Sequence, residues 1–171
     1  MTARTLVLLR HAKAETPGEL PDFERKLTKV GLADADAAGS WLADERLRPD
    51  LVICSTATRT RQTWHGVAVA LAQADPETHA PEVHYEQGLY DGARTELVDL
   101  LRAVPDGVKT VLVIGHNPTV SDVSLLLRPV DDAGEVTTMK TSGLAVHRAE
   151  GPWSGTEPFS MPLILEHTAR G

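Results

Sequence analysis

Thr5-Leu6-Val7-Leu8-Leu9-Arg10-His11-Ala12 is the stretch from which the fold can be read. Residues 5–9 form an unbroken β-branched and apolar run, the pattern of a strand covered on both faces. A strand of this kind belongs in a parallel sheet sandwiched by helices. The same pattern recurs in Leu51-Val52-Ile53-Cys54 and, most clearly, in Thr110-Val111-Leu112-Val113-Ile114. Between the first two strands, polar and turn-forming residues run to about position 27. Thr28 then reads as an N-cap, and Ala35, Ala38, Trp41 and Leu42 recur at helical spacing to about Leu47, with Pro49 breaking the pattern.

After the second strand, Ser55 and Thr56 are candidate caps for a helix from Ala57 to about Ala72, and residues 73–82 read as loop. Glu82 to Glu86 suits a short strand. Thr95 opens an amphipathic helix through Leu97, Val98, Leu100 and Leu101. Gly115 to Pro118 turn the chain into a helix from about Thr119 to Leu127. Val136–Lys140 and Gly143–Arg148 read as a hairpin or two adjacent strands turned at Thr141–Gly143. The segment 150–171, with Pro152, Pro158 and Pro162, gives no clear pattern. Strands alternating with helices predict an α/β fold, a mainly parallel sheet flanked by helices on both faces. With no repeat, low-complexity stretch or linker, residues 1–171 read as a single domain.

Composition narrows the function. The chain has 171 residues, of which 42% are hydrophobic and 24% charged, as in soluble globular proteins. No run approaches the ~18 to 20 apolar residues of a membrane helix. The apolar start is short and leads into a charged stretch without a small-residue cleavage site, so no secretory signal is expected. One cysteine, Cys54, fits a reducing cytoplasm and reads as a core residue. A net charge of −7 speaks against a nucleic-acid partner. It leaves room for an anionic substrate, since a few converging arginines can reverse the local potential.

Ligands of such sheets bind beyond the carboxyl ends of the strands. There the first strand ends in Arg10-His11, the second in Ser55-Thr56-Ala57-Thr58-Arg59, and the third in Gly115-His116-Asn117-Pro118. Two histidines and two arginines leaving one sheet edge suit phosphoryl transfer. A neutral imidazole is a competent nucleophile that forms a hydrolysable phosphohistidine. Guanidinium groups match phosphate oxygens with paired hydrogen bonds, and a second histidine can donate to the equatorial oxygens. Amides at the helix starts after Ser55 and Pro118 can add to such a pocket. Side chains supply the positive charge, so neither metal nor cofactor is called for.

Arg10-His11-Ala12 resembles the signature of the histidine phosphatase superfamily, an Arg-His-Gly or Arg-His-Ala at the end of the first strand. Asp22-Phe23-Glu24-Arg25-Lys26-Leu27-Thr28 with Gly31 is similar to a stretch of its phosphohistidine phosphatase branch, the SixA-like one. So are residues 50–63, the pair Leu89-Tyr90, and residues 111–118. These elements lie in family order over about residues 4 to 148, and four ordered motifs are far more specific than one. The resemblance implies a phosphoglycerate mutase-like fold, with His11 as nucleophile and Arg10, Arg59 and His116 binding the phosphoryl group. Arg25 matches a further basic residue near the pocket, oriented by Asp22. Larger relatives carry a glutamate as proton donor after the middle strand. Here Glu86 and Asp91 are both candidates and neither matches clearly. An alkoxide needs such an acid more than a basic phosphoramidate nitrogen does, which favours phosphohistidine on a protein as substrate.

Other readings exist for the same residues. A small phosphorylated molecule would use the same site as a phosphomonoester substrate, and a regulatory module would bind phosphate without turnover. His11 alone suits a backbone-bonded structural role, and His116 alone suits a pinned turn. Arg25, between Glu24 and Lys26, suits a solvated surface as well as a pocket. His65, His79, His84, His147 and His167 show no metal-ligand spacing and read as surface or loop residues, and the three tryptophans as packing residues.

Overall fold

The computed structural model describes residues 2–131 and 138–171. Six strands form one sheet: β1 (Ala3–Arg10), β2 (Leu51–Ser55), β3 (Glu82–Glu86), β4 (Thr110–Gly115), β5 (Gly143–Glu150) and β6 (Leu163–Thr168). Their order is β3-β2-β4-β1-β5-β6. The first four run parallel, and β5 and β6 join antiparallel beyond β1. The expected α/β class with a mainly parallel sheet is what the chain forms.

Consecutive residues of β1 enter opposite cores, as the strand's twofold periodicity requires. Leu6 and Leu8 join Ile53, Val113, Leu97, Leu101, Leu127 and Trp153 on one face. Val7 and Leu9 join Cys54, Ile114, Leu42 and Val67 on the other. Helices α4 (Arg94–Arg102) and α5 (Thr119–Leu127) cover the first face, and α1 (Lys29–Asp44) and α2 (Thr58–Ala74) the second. Each wholly buried leucine contributes about 1.5–3 kcal/mol relative to exposure, so the two-sided core of β1 fixes where its end lies.

Thr28 caps α1 as expected, its Oγ1 accepting from the Gly31 amide at 3.0 Å. Gly31 also lets α1 approach the loop after β1: a Cβ there would lie 2.1 Å from the Lys13 carbonyl oxygen. The α1–α2 contact is similarly close, with Gly39 against Val67 and Ala70 and Gly66 against Ala35.

Several expectations are corrected. Helix α2 is capped by Ala57 without a side-chain bond; Ser55 stays in β2, and Thr56 Oγ1 donates instead to Gln87 Oε1 at 2.5 Å. Helix α4 opens at Arg94, one residue early, where Glu96 Oε2 accepts from the Ala93 amide at 2.8 Å. A short helix α3 (Gly88–Asp91) precedes it. Of the expected strand Val136–Lys140, Val136 and Thr137 lie outside the described residues. Thr138 to Lys140 form no strand, and β5 pairs with β1 and β6 instead. His147 is not a surface residue: it is fully buried, with Nδ1 against the Met161 carbonyl and Nε2 against Ser124 Oγ. His167 stacks on Trp41 with ring centroids 4.8 Å apart. Among the described residues no helix is long and apolar enough to cross a membrane.

Candidate active site

Three neighbouring parallel strands, β2, β4 and β1, bring the candidate residues together. Arg10 stands in register with Gly115, and the His11 amide donates to the Gly115 carbonyl at 3.0 Å. His11 therefore leaves the sheet beside His116, with ring centroids 5.3 Å apart. The loop after His11 is pinned to α2: the Ala12 amide donates to Thr63 Oγ1 at 3.0 Å, and Thr63 Oγ1 donates to the Arg59 carbonyl at 2.8 Å. The Ser142 amide donates to the Arg10 and His11 carbonyls, both at 3.1 Å.

His11 is 8% exposed, and its Nδ1 lies 2.8 Å from the Ala12 carbonyl oxygen. A carbonyl only accepts, so Nδ1 carries the proton and Nε2 of the neutral ring keeps a free lone pair. Burial pushes the His11 imidazole from its usual 6.5 down to about 4. The Ala12 bond works against that shift, and the charges of Arg59, Arg10 and Arg25 add to it. His116 is pushed down to about 3, first by burial and then by His11 and Arg59. Both rings are thus neutral near pH 7. The Nε2 atom of His116 lies 2.7 Å from Ser55 Oγ.

The two arginines are held in the same manner. Arg10 donates from Nη1 to the Met139 carbonyl at 3.0 Å. Arg59, 6% exposed, donates from Nη1 to the Asp22 carbonyl at 2.8 Å and from Nη2 to Asp22 Oδ2 at 3.1 Å. Each leaves its Nε buried without a protein partner, and so does His116 at Nδ1. Leaving a buried polar group unmatched costs about 1–3 kcal/mol, a cost that hydrogen bonds to a bound anion would offset at all three. Two further atoms share this condition: Ser142 Oγ, whose amide bonds the Arg10 and His11 carbonyls, and Arg4 Nε, at the opposite end of β1.

Arg25 comes near this group. Its Nε and Nη2 bond Asp22 Oδ1 at 3.0 and 2.9 Å, and Nη1 bonds the Glu15 carbonyl at 2.8 Å. Asp22 also accepts from Tyr90 Oη at 2.8 Å. That bond, with Arg25 and Arg59 adding to it, holds the Asp22 carboxyl down to about 2, so it is charged at any working pH. Glu86 ends β3 in register with Ser55, and Asp91 bonds Gln87 at 3.3 Å. Among the described residues neither carboxylate bonds His11, His116, Arg10 or Arg59. The buried Cys54 thiol is pushed up to about 12 by burial and faces the core.

Three participants escaped the sequence reading in their present roles. Ser55 was expected as a helix cap and partners His116. Tyr90 was only half of a motif pair and holds Asp22, its ring edge-on to His116 at 5.7 Å. Thr63 had one signal available: it lies four residues after Arg59, one helical turn away, where its hydroxyl can reach the Arg59 carbonyl.

Comparison with known proteins places the chain in a family. The chain is 34% identical to an uncharacterized protein of Mycobacterium tuberculosis over 95% of this chain and all of that protein. A structure from Nakamurella multipartitia, named as the phosphohistidine phosphatase SixA, superposes with a TM-score of 0.86. It is 32% identical and covers 99% of this chain and 98% of that one. A second, from Agrobacterium tumefaciens and named likewise, gives a TM-score of 0.76 at 30% identity over 96% and 97% of the two chains. The fold is accordingly phosphoglycerate mutase-like. The model of the histidine phosphatase superfamily, branch 1, matches residues 6–106, well over half of the chain, and this chain belongs to that superfamily.

Proposed function

We propose that this protein is a phosphatase that removes phosphate from phosphohistidine on a protein, by way of a phosphohistidine intermediate on His11. The observation that carries the reading is the trio of buried, unmatched nitrogens, Arg10 Nε, Arg59 Nε and His116 Nδ1, around a neutral histidine; with Ser55 Oγ donating to His116 Nε2, all three are donors. In this reading the phosphoryl oxygens take those donors, and His11 Nε2 attacks phosphorus in line. A P–N bond to His11 forms while the P–N bond to the substrate breaks. The departing imidazole nitrogen takes a proton from solvent. Water then attacks phosphorus, the bond to His11 breaks, and inorganic phosphate leaves. Arg25 adds positive charge at the pocket, and the developing charge is met by preorganised donors without a metal.

The nitrogen-linked substrate is favoured by two further facts. The two structures most similar in sequence described above are named as phosphohistidine phosphatases. Among the described residues Glu86 and Asp91 make no bond to His11, His116, Arg10 or Arg59, so neither is held there to protonate an alkoxide.

The test is phosphate release from a protein chemically phosphorylated on histidine, in EDTA, with wild type beside His11→Ala. Turnover and an acid-labile phosphoenzyme in wild type alone are expected. Hydrolysis of phosphomonoesters but not phosphohistidine would move the substrate to small phosphorylated molecules. Turnover by His11→Ala would remove the nucleophile assignment, and inertness of wild type toward both would leave a phosphate-binding module.

A further inference from the structure

The residue left without a chemical task in that scheme is Asp22. Its carboxylate is half exposed, while Arg59 beside it is buried, so it stands where the pocket meets solvent. It is fixed from three sides: Oδ1 by Arg25, Oδ2 by Arg59 at 3.1 Å and by Tyr90 at 2.8 Å. His11 lies at the buried end, 8% exposed, so a leaving group in line with His11 Nε2 departs toward the solvent side. A permanent negative charge at the mouth of an anion pocket opposes binding of the phosphoryl group. A carboxylate there calls for a reason beyond holding arginines, which backbone carbonyls such as that of Met139 do without charge.

We propose that Asp22 is a specificity-determining residue, favouring leaving atoms that enter the step protonated and positive over those that develop negative charge. This rests on the phosphatase reading above. In a phosphoramidate the nitrogen is protonated before the P–N bond breaks with its electron pair going to nitrogen, so the leaving atom is still partly positive in the transition state, where Asp22 attracts it. In a phosphomonoester the P–O bond breaks with the electron pair going to oxygen, so negative charge appears where Asp22 repels it. Arg25, Arg59, Tyr90 and His116 face the same space and set the absolute potential. Asp22→Asn nevertheless changes the local charge by one unit whatever they contribute, and acts on the two leaving groups with opposite sign. Any loss from loosened arginines is common to both substrates and cancels in their ratio.

The experiment compares kcat/KM for phosphoramidate and phenyl phosphate, two small substrates that need no protein docking. Wild type, Asp22→Asn, Asp22→Ser and Asp22→Glu are assayed side by side. The ratio of phosphoramidate to phenyl phosphate should fall about tenfold in the two neutral variants, the solvent at the mouth moderating the effect. Asp22→Glu, which keeps the charge, should keep most of the ratio, and having two neutral variants guards against one failing to fold. A ratio unchanged within about twofold in either folded neutral variant, with both activities falling together, overturns the inference and leaves the phosphatase reading intact. Wild type inert toward both substrates removes that reading and the inference with it.

Discussion

Lowering the pH from 7 to 5 should cost the wild-type protein about 2 kcal/mol more stability than it costs His11→Gln. The reasoning starts from the free ring, which titrates near 6.5, while the folded His11 is pushed down to about 4. As pH falls below 6.5 the unfolded chain takes up a proton that the folded protein refuses. Stability is therefore full above that value, is lost between 6.5 and about 4, and falls no further beneath. At pH 5 the unfolded ring is almost fully protonated and the folded ring almost fully neutral. With ~1.4 kcal/mol per pKa unit, that separation is worth about 2 kcal/mol. His116 is pushed down mainly by burial, which His11→Gln leaves in place, so most of its own loss is common to the two proteins even though the contribution of His11 to that shift disappears. Urea unfolding at the two pH values measures it, and for a chain of this size the difference is roughly 4–8 °C in Tm. Equal losses in the two proteins would show that His11 is protonated in the fold as readily as in water, and with it the neutral-nucleophile argument would go.

Two other outcomes follow from the packing. Arg59→Ala should weaken vanadate binding by on the order of a hundredfold, as expected for lost charge-assisted bonds in a buried site. Arg59→Lys should restore little, because one ammonium cannot bond Asp22 and present a second donor edge. Calorimetric titration with vanadate decides this, and an unchanged affinity would place the anion elsewhere. Gly31→Ala should destabilise the protein by on the order of 3 kcal/mol, since the added Cβ meets the Lys13 backbone oxygen at 2.1 Å. A Tm within about 2 °C of wild type would mean that the loop after His11 yields easily.

Much of the molecule could be read from the chain because the informative patterns are local. The apolar runs at 5–9, 51–54 and 110–114 leave no alternative to buried strands, and Thr28 followed by apolar residues at helical spacing marks α1. The grouping of Arg10, His11, Arg59 and His116 followed from strand ends alone, since parallel strands deliver their carboxyl ends to one edge. What was hidden depended on partners distant in sequence. Ser55 has the composition of a cap, and only its place opposite His116 makes it a hydrogen-bond partner instead. His147 alternates as a strand residue should, but its burial depends on Ser124 and on the Met161 carbonyl, which no local pattern announces. The strand β6 escaped because its residues are largely exposed at the sheet edge, so no apolar periodicity survives there. Asp22 was visible as a partner for Arg25, whereas its hold on Arg59 and Tyr90 joins three segments distant in sequence.

The strand order also sets a schedule. β1 is synthesised before both of its neighbours, β4 and β5: Thr5 pairs with Thr110, and Val7 with Val146. Leu6 to Leu9 thus wait, unpaired on one edge until β4 and on the other until β5 has left the ribosome. Such non-local pairing slows folding and prolongs the exposure of a sticky segment. It also makes the pocket a late product of folding. A nascent chain that has not yet reached Glu150 carries His11 at the end of a strand whose partner β5 is still incomplete, so His11 is made early and its arrangement with His116 and Ser142 is completed late.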